Sequence, residues 1–378
     1  MTTLQEQVIR EFRRRFKAQP EFVVRAPGRV NLIGEHTDYN EGFVMPLAID
    51  RATWIALRPR TDRRVSLYSL DKREQLEFST DDLKKQPRHW GEYPKGVAWA
   101  LQEAGYRLRG WEGVTGCDVP LGGGLSSSAS FELATARAFQ AVSGFPWDKI
   151  AVAKLCQRAE NQWVGVNCGI MDQMISASGR AGHALLIDCR SLATTAVSLP
   201  AGTAVAVLDT GTRHKLSASA YNERRAQCET AAKIFGVRAL RDVSVEEFER
   251  RAGELDEVIR KRARHVVREN ARTLAASRTT DPAGFGKLMN ESHHSLRDDY
   301  EVSSQELNAF VECACALPAC LGARMTGAGF GGCAVALVRV EAAPAFIEAA
   351  AAAYRQQTGR RPQTFICQAS DGAEVMKP

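Results

Sequence analysis

Residues 120–130 read PLGGGLSSSAS. An apolar strand, Gly113 to Val119, is predicted before this run, and a helix to about Val142 after it. Gly122, Gly123 and Gly124 let a backbone approach an anion closely and take up positive φ. The first amides of the following helix, together with its dipole, attract phosphate. Ser126, Ser127 and Ser128 add hydroxyls that can donate to phosphate oxygens or ligate a cation. The run lacks the Gly-Lys-Ser/Thr ending of a Walker loop and the spacing of a dinucleotide fingerprint. A flexible linker would not sit between an apolar strand and an apolar helix. Residues 122–128, Leu125 included, are therefore predicted to wrap a phosphate chain.

A second dense stretch lies upstream. Residues 25–42, RAPGRVNLIGEHTDYNEG, place Arg25, Arg29, Asn31, Glu35, His36, Asp38 and Asn40 between the apolar runs 22–24 and 43–45. So many hydrogen-bonding groups between two strands suit a small ligand rich in hydroxyls better than a core, since each hydroxyl both donates and accepts.

Length and composition bound the rest. The chain has 378 residues, 44% hydrophobic and 25% charged, with a formal net charge of +6. That size predicts two domains or so with ample core. Basic residues are spread along the chain, so no nucleic-acid partner is expected. The densest basic run, 260–265, reads as the solvated face of a helix. Ten cysteines lack framework or zinc-site spacing, so Cys313, Cys315 and Cys320 read as reduced thiols. Met1 to Gln19 reads as a charged amphipathic helix without a signal core, on Leu4, Val8, Phe12 and Phe16. No apolar run reaches the ~20 residues that cross a bilayer. The expectation is a cytoplasmic monomer with no membrane partner.

Strands are predicted at 22–26, 43–49, 53–57, 65–70, 183–188, 196–199, 203–208, 333–338 and 364–368. Helices are predicted at 93–104, from Pro146 to about Val164, at 170–178, through most of 217–316, and at 344–354. Strands and helices mix without a steady β-α-β rhythm, which predicts an α+β fold. A domain boundary is placed near 191–201, dividing the chain into 1–195 and 196–378.

With both motifs in view, the sequence resembles the galactokinase branch of the GHMP small-molecule kinase family. Residues 29–38 resemble its sugar motif and 120–130 its ATP motif. Residues 326–333, TGAGFGGC, resemble its third, glycine-rich motif. Segments 169–173 and 295–300 extend the likeness, from about residue 20 to the end. Ala328 departs from a position that is often Gly in the family.

The resemblance implies a two-domain fold with the active site in the interdomain cleft. It implies ATP-dependent phosphorylation of α-D-galactose at the C1 hydroxyl, with ATP and Mg²⁺ as cofactors. Asp172 would be the base and Arg29 its cationic partner. Glu35, His36, Thr37, Asp38, Gly169, Asp172 and Tyr221 would hold the sugar, with His36 as a switchable donor or acceptor. Ser128 and Glu160 would contact Mg²⁺. Residues 326–332 are expected to brace the site more than to touch ligand. Trp90 and Tyr93 are candidates for the adenine pocket, with core packing an equal alternative. Two other functions fit the same motifs: an N-acetylgalactosamine kinase, and a sugar- and ATP-binding sensor without catalysis.

Overall fold

The computed structural model describes residues 2–86, 89–213 and 217–378. The strands are β1 (Phe22–Asn31), β2 (Phe43–Val44), β3 (Pro46–Pro59), β4 (Arg64–Ser69), β5 (Glu74–Ser79), β6 (Trp111–Cys117), β7 (His183–Asp188), β8 (Thr194–Ser198), β9 (Thr203–Asp209), β10 (Cys320–Met325), β11 (Cys333–Arg339), β12 (Gln363–Cys367) and β13 (Glu374–Met376). The helices are α1 (Leu4–Phe16), α2 (Glu92–Glu103), α3 (Ser127–Ser143), α4 (Lys149–Arg158), α5 (Met171–Ser178), α6 (Ser217–Phe235), α7 (Val245–Arg251), α8 (Glu257–Ala276), α9 (Pro282–Asp298), α10 (Gln305–Cys315) and α11 (Ala343–Thr358). The N-terminal helix forms on the predicted face, burying Val8 and Phe12; Met1 lies outside the described residues.

The architecture is α+β. A six-stranded sheet has the order β13-β1-β3-β6-β4-β5, and a four-stranded sheet β10-β11-β9-β12. One core packs the first sheet against α2, α3, α4 and α5, with Leu133, Phe139 and Trp111 fully buried. A second packs the four-stranded sheet against the helices of the second half, around Phe310, Tyr354 and Leu296. A third core joins the two sheets. Strand alternation builds it: on β9, Ala206 and Leu208 face the helices, while Val205 and Val207 face the first sheet. On β11, Ala334 and Ala336 face the helices and Val335 and Leu337 the joint.

Several boundaries differ from the sequence expectation. The runs 43–49 and 53–57 resolve into short β2 and one long β3, which continues through Asp50 and Arg51. Its partner β1 absorbs an irregularity between Pro27 and Arg29, so the pairing survives. The helix expected from Pro146 starts at Lys149. The Asp148 carboxylate caps it by accepting from the amides of Ile150 and Ala151, leaving Pro146 outside. A π turn over Ala159–Val164 then extends this helix to the expected end. Strands β5, β10 and β13 are not predicted by the sequence reading. β13 carries the end of the chain back to the first sheet, beside β1.

Helix α9 meets β10 backbone to backbone. A Cβ on Gly322 would lie 2.1 Å from the Gly286 carbonyl oxygen. Neither backbone can yield cheaply, so Gly322→Ala should lower stability by about 2–3 kcal/mol, read from urea unfolding midpoints at unchanged m value. A loss below about 0.5 kcal/mol would show that the contact relaxes freely.

Candidate active site

The three motifs meet in a cavity of about 420 Å³ at the cleft between the halves. It is lined from the first half by Arg29, Glu35, Asp38, Ser126, Glu160 and Asp172, and from the second by Arg213, Tyr221 and the glycine-rich turn after Thr326.

Arg29 and Asp172 form its centre. Arg29 sits near the end of β1, where its amide donates to the Leu125 carbonyl at 3.0 Å. Its guanidinium grips Asp172 with two bonds, Nε to Oδ1 at 2.8 Å and Nη2 to Oδ2 at 2.8 Å. Nη1 donates to the Gly124 carbonyl, and the Ser126 hydroxyl donates to Asp172 Oδ2. Asp172 is the second residue of α5, where the helix dipole favours a negative charge. Arg29 is almost wholly buried, whereas the Asp172 side chain keeps 26% of its surface open to the cavity.

The phosphate loop is held from below by the third motif. Cβ atoms on Gly327 and Gly332 would lie 2.7 Å from the carbonyl oxygens of Gly124 and Gly123. The turn therefore braces the loop, as expected, and also walls the cavity through Gly327, Ala328, Gly329, Gly331 and Gly332. Leu125 sends its side chain into the core that joins the sheets and offers the loop only its backbone. Gly123, equally, does not line the cavity.

The sugar-motif residues separate into wall and frame. Glu35 Oε1 accepts from the Gly327 amide at 2.6 Å and the Thr326 hydroxyl at 3.1 Å, and Oε2 accepts from Asn31 Nδ2 at 2.9 Å. The buried Arg324 guanidinium lies 3.5 Å from Glu35, and Glu269 sits behind it. His36 takes a left-handed conformation at φ 62°. Burial pushes it down to about 3, so the ring is neutral. Its Nε2 faces the Ala328 carbonyl at 3.2 Å and must carry the proton; Nδ1 then accepts from the Tyr39 hydroxyl at 2.8 Å. Both nitrogens are occupied, which leaves the ring, rather than a switchable donor or acceptor, facing the cavity. Thr37, predicted to touch substrate, is fully buried outside the cavity. Its hydroxyl closes the loop instead, at 2.8 Å from the Gly34 carbonyl and 2.7 Å from that of Phe43.

Asp38 faces the cavity beside Gly169, whose added Cβ would lie 1.8 Å from Asp38 Oδ2. Only glycine at 169 leaves room for that carboxylate. Tyr221 completes this side, its ring 5.6 Å from His36 and 5.1 Å from Tyr39.

On the opposite side, Glu160 is buried in the π turn. Gln173 Nε2 donates to it at 2.7 Å and to the fully buried Glu132 at 3.0 Å. Burial, then the charge of Asp172, pushes Glu160 up to about 7, and Ser128 lines the same cavity. Glu132 Oε1 has no hydrogen-bond partner. A second cavity of about 240 Å³ opens from the same loop, sharing Tyr93, Gly122, Ser127 and Ser128. Trp90, Phe131, Thr115 and Cys117 line its far part.

The sequence reading missed Arg213. Its guanidinium pairs with Asp209 at 2.8 and 2.7 Å, donates to the Leu121 carbonyl at 3.0 Å, and lies over Gly122 and Gly123. A lone Arg after a strand carries no local signature; only its position over the loop marks it.

Fold and site together define a GHMP kinase. The GHMP kinases N terminal domain model matches residues 92–180, the GHMP kinases C terminal model residues 273–356, and the galactokinase galactose-binding signature residues 10–59. The chain is 50% identical over 369 residues to galactokinase from Roseiflexus sp. (strain RS-1), covering 96% of this chain and 94% of that one. It is 47% identical over 374 residues to galactokinase from Chloroflexus aggregans (strain MD-66 / DSM 9485), covering 97% and 96%. The solved Lactococcus lactis galactokinase complexed with galactose superposes at a TM-score of 0.95, with 36% identity, over 98% of this chain and 100% of that one. Methanococcus jannaschii mevalonate kinase shares the fold at a TM-score of 0.67 and 19% identity, over 93% and 99%. The chain belongs to the galactokinase family and is an enzyme of the kinase class.

Burial, then the charge of Asp172, pushes Asp38 up to about 7 from 3.8. Between those pH values the folded chain holds a proton that the unfolded chain has lost, so this group's contribution to stability falls as pH rises through the window. Asp38→Asn should therefore exceed the parent by about 2 kcal/mol at pH 8, after discounting for the open cavity, and match it near pH 4. Urea unfolding at both pH values reads this; an equal difference at each would show that Asp38 titrates normally.

Proposed function

We propose that the enzyme transfers the γ-phosphoryl group of ATP to the C1 hydroxyl of α-D-galactose, giving α-D-galactose 1-phosphate and ADP. The observation that carries this reading is the junction at Asp172. One carboxylate, open to the cavity, is tied at once to the phosphate loop through Ser126 and to the sugar-motif strand through Arg29. A hydroxyl resting against Asp172 would face the end of a phosphate chain lying in the loop.

Phosphoryl transfer needs positioning and charge neutralisation more than covalent chemistry. Asp172 accepts the proton of the C1 hydroxyl as that oxygen attacks the γ-phosphorus and ADP leaves. An anomeric hydroxyl is more acidic than an ordinary alcohol, which suits a carboxylate base. Each guanidinium nitrogen of Arg29 donates one bond, to Asp172 or to the Gly124 carbonyl, so the cation orients the Asp172 carboxylate while its charge offsets the charge that builds on the phosphoryl oxygens. Arg213 supplies a second cation over the loop. Asp38, Glu35 and Tyr221 take the sugar hydroxyls, with Gly169 making room for Asp38. Pairing with a particular hydroxyl rejects an epimer, because the site's own groups are then left unpaired. The second cavity takes the base, with Trp90 and Tyr93 along it.

Magnesium fits the oxygen-rich corner at Ser128 and Glu160. Among the described residues no three His, Cys, Asp or Glu side chains are placed to hold a metal alone, so the cation would come with the nucleotide. When bound it neutralises phosphate charge, and it would also relieve the crowding of Glu160 by Asp172 and Glu132. We place the domain division at 1–195 and 196–378, with β13 of the second segment returning to the first sheet, and with one chain supplying the whole site as a cytoplasmic monomer.

ADP release with purified protein, Mg-ATP, and galactose, N-acetylgalactosamine, glucose or mevalonate tests the reading. Galactose should be preferred. Preference for N-acetylgalactosamine would make it the sister kinase, and saturable galactose binding with no turnover would make it a sensor. Asp172→Asn should keep the fold and galactose binding while kcat falls about 10²–10⁴-fold; near-normal turnover would remove Asp172 from the mechanism. Glu160→Gln should raise the Mg²⁺ concentration for half-maximal rate about ten-fold with KM for galactose within two-fold. An unchanged Mg²⁺ dependence would remove Glu160 from the metal site.

A further inference from the structure

Arg25 opens the polar stretch 25–42 but takes no part in the cavity. It is 7% exposed and reaches the other way, to the end of the chain. Its Nη1 donates to the Asp371 carbonyl at 3.1 Å and its Nη2 to the Ser370 hydroxyl at 3.1 Å. Glu374 lies 3.7 Å from the same guanidinium.

The segment that Arg25 grips runs between the two elements of the catalytic pair. On one side β13 pairs with β1, the strand of Arg29, in the register Val23 to Met376, Val24 to Val375 and Arg25 to Glu374. On the other it closes the C-terminal end of α5, the helix of Asp172. A helix leaves its last carbonyls without intrahelical partners. Here the Ala373 amide donates to the Ser176 carbonyl at 2.8 Å, and the Gly372 amide to the Gly179 carbonyl at 2.9 Å. Asp371 accepts from the Ala181 amide at 3.0 Å, just beyond the helix. The fit at Gly372 is close: an added Cβ would lie 2.5 Å from the Ala177 carbonyl oxygen and 2.9 Å from the Gly179 amide nitrogen. Helix α5 is only eight residues long, so a shift at its C-terminal end is carried to Asp172 at the other. Besides the Arg29–Asp172 pair, the Ser176 hydroxyl ties α5 to β1 by donating to the Pro27 carbonyl at 2.8 Å.

We propose that residues 370–376, held by Arg25, are a positioning strap that fixes α5 against β1 and so sets Asp172 at its working distance from Arg29 and the acceptor hydroxyl. Arg25 and Gly372 are positioning residues; neither touches the cavity. The proposal rests on Asp172 and Arg29 acting as described above. Displacing a reacting group by about 1 Å costs on the order of 10²-fold in rate, so the strap's effect falls on turnover.

The test uses the full chain with Gly372→Ala, Arg25→Ala and Arg25→Lys, alongside Asp172→Asn. Rates are measured well below each variant's own Tm, so that the folded fraction is constant. Gly372→Ala and Arg25→Ala should lower kcat ten-fold or more, with KM for ATP within two-fold and KM for galactose within three-fold. Arg25→Lys, which keeps the charge and loses the fork, should recover part of the rate. If Gly372→Ala does not fold, the Arg25 pair decides alone. A kcat within two-fold of the parent in the folded variants, or KM values that move as far as kcat, overturns the strap. If Asp172→Asn itself turns over normally, the mechanistic reading fails and the strap falls with it.

Discussion

The bidentate pair between Arg29 and Asp172 is the contact on which the remainder of the site depends. Burying a guanidinium carries a desolvation penalty of several kcal/mol, which only close and complete pairing offsets. Arg29 meets that demand with two 2.8 Å bonds to one carboxylate and a third bond to the Gly124 carbonyl. These partners belong to α5 and to the loop before α3. The pair is therefore satisfied only when a strand, a loop and a helix from separate parts of the chain reach their places together. Folding and assembly of the chemistry are, at this point, one event.

Around that pair the chain concentrates like charge. Asp38 and Glu160 are both pushed up to about 7, chiefly by burial and next by Asp172. Glu132 is raised as well, with one carboxylate oxygen unpartnered. Such crowding lowers stability without ligand, and under the proposed function it falls where ligands would act, with sugar hydroxyls donating to Asp38 and a cation answering Glu160. Glu269 shows the opposite solution. It is buried as completely, yet Arg272, His265 and Arg324 hold it down at about 2. Nearby carboxylates thus divide into one that buried cations hold down and others that burial and like charge push up.

What the sequence made legible was local. The glycine-serine loop, the polar stretch 25–42 and the turn after Thr326 are contiguous, and each turns its chemistry toward the cavity. Strand and helix types followed from periodicity, and boundaries erred where a side chain overrode it, as when Asp148 capped a helix that Pro146 was expected to open. What escaped was non-local. Arg213 and Arg324 are ordinary arginines until the fold brings them over the phosphate loop and behind Glu35. Thr37 sits inside the motif but turns its hydroxyl to the backbone. A motif specifies which segment forms the site and leaves open which of its side chains face inward.

Ala328 illustrates the same distinction from the backbone side. It stands where the family resemblance leads one to expect glycine, yet the turn accepts it without a left-handed φ. Gly327 and Gly329 carry φ of 84° and 81°, the left-handed region that favours glycine, and Ala328 between them does not. Its carbonyl still receives His36 Nε2. Gly327 has no such freedom, because it also meets the Gly124 backbone. The constraint on this turn thus lies in two properties, the hand of the backbone and the closeness of the phosphate loop, and a residue free of both can change while the site beside it keeps its shape.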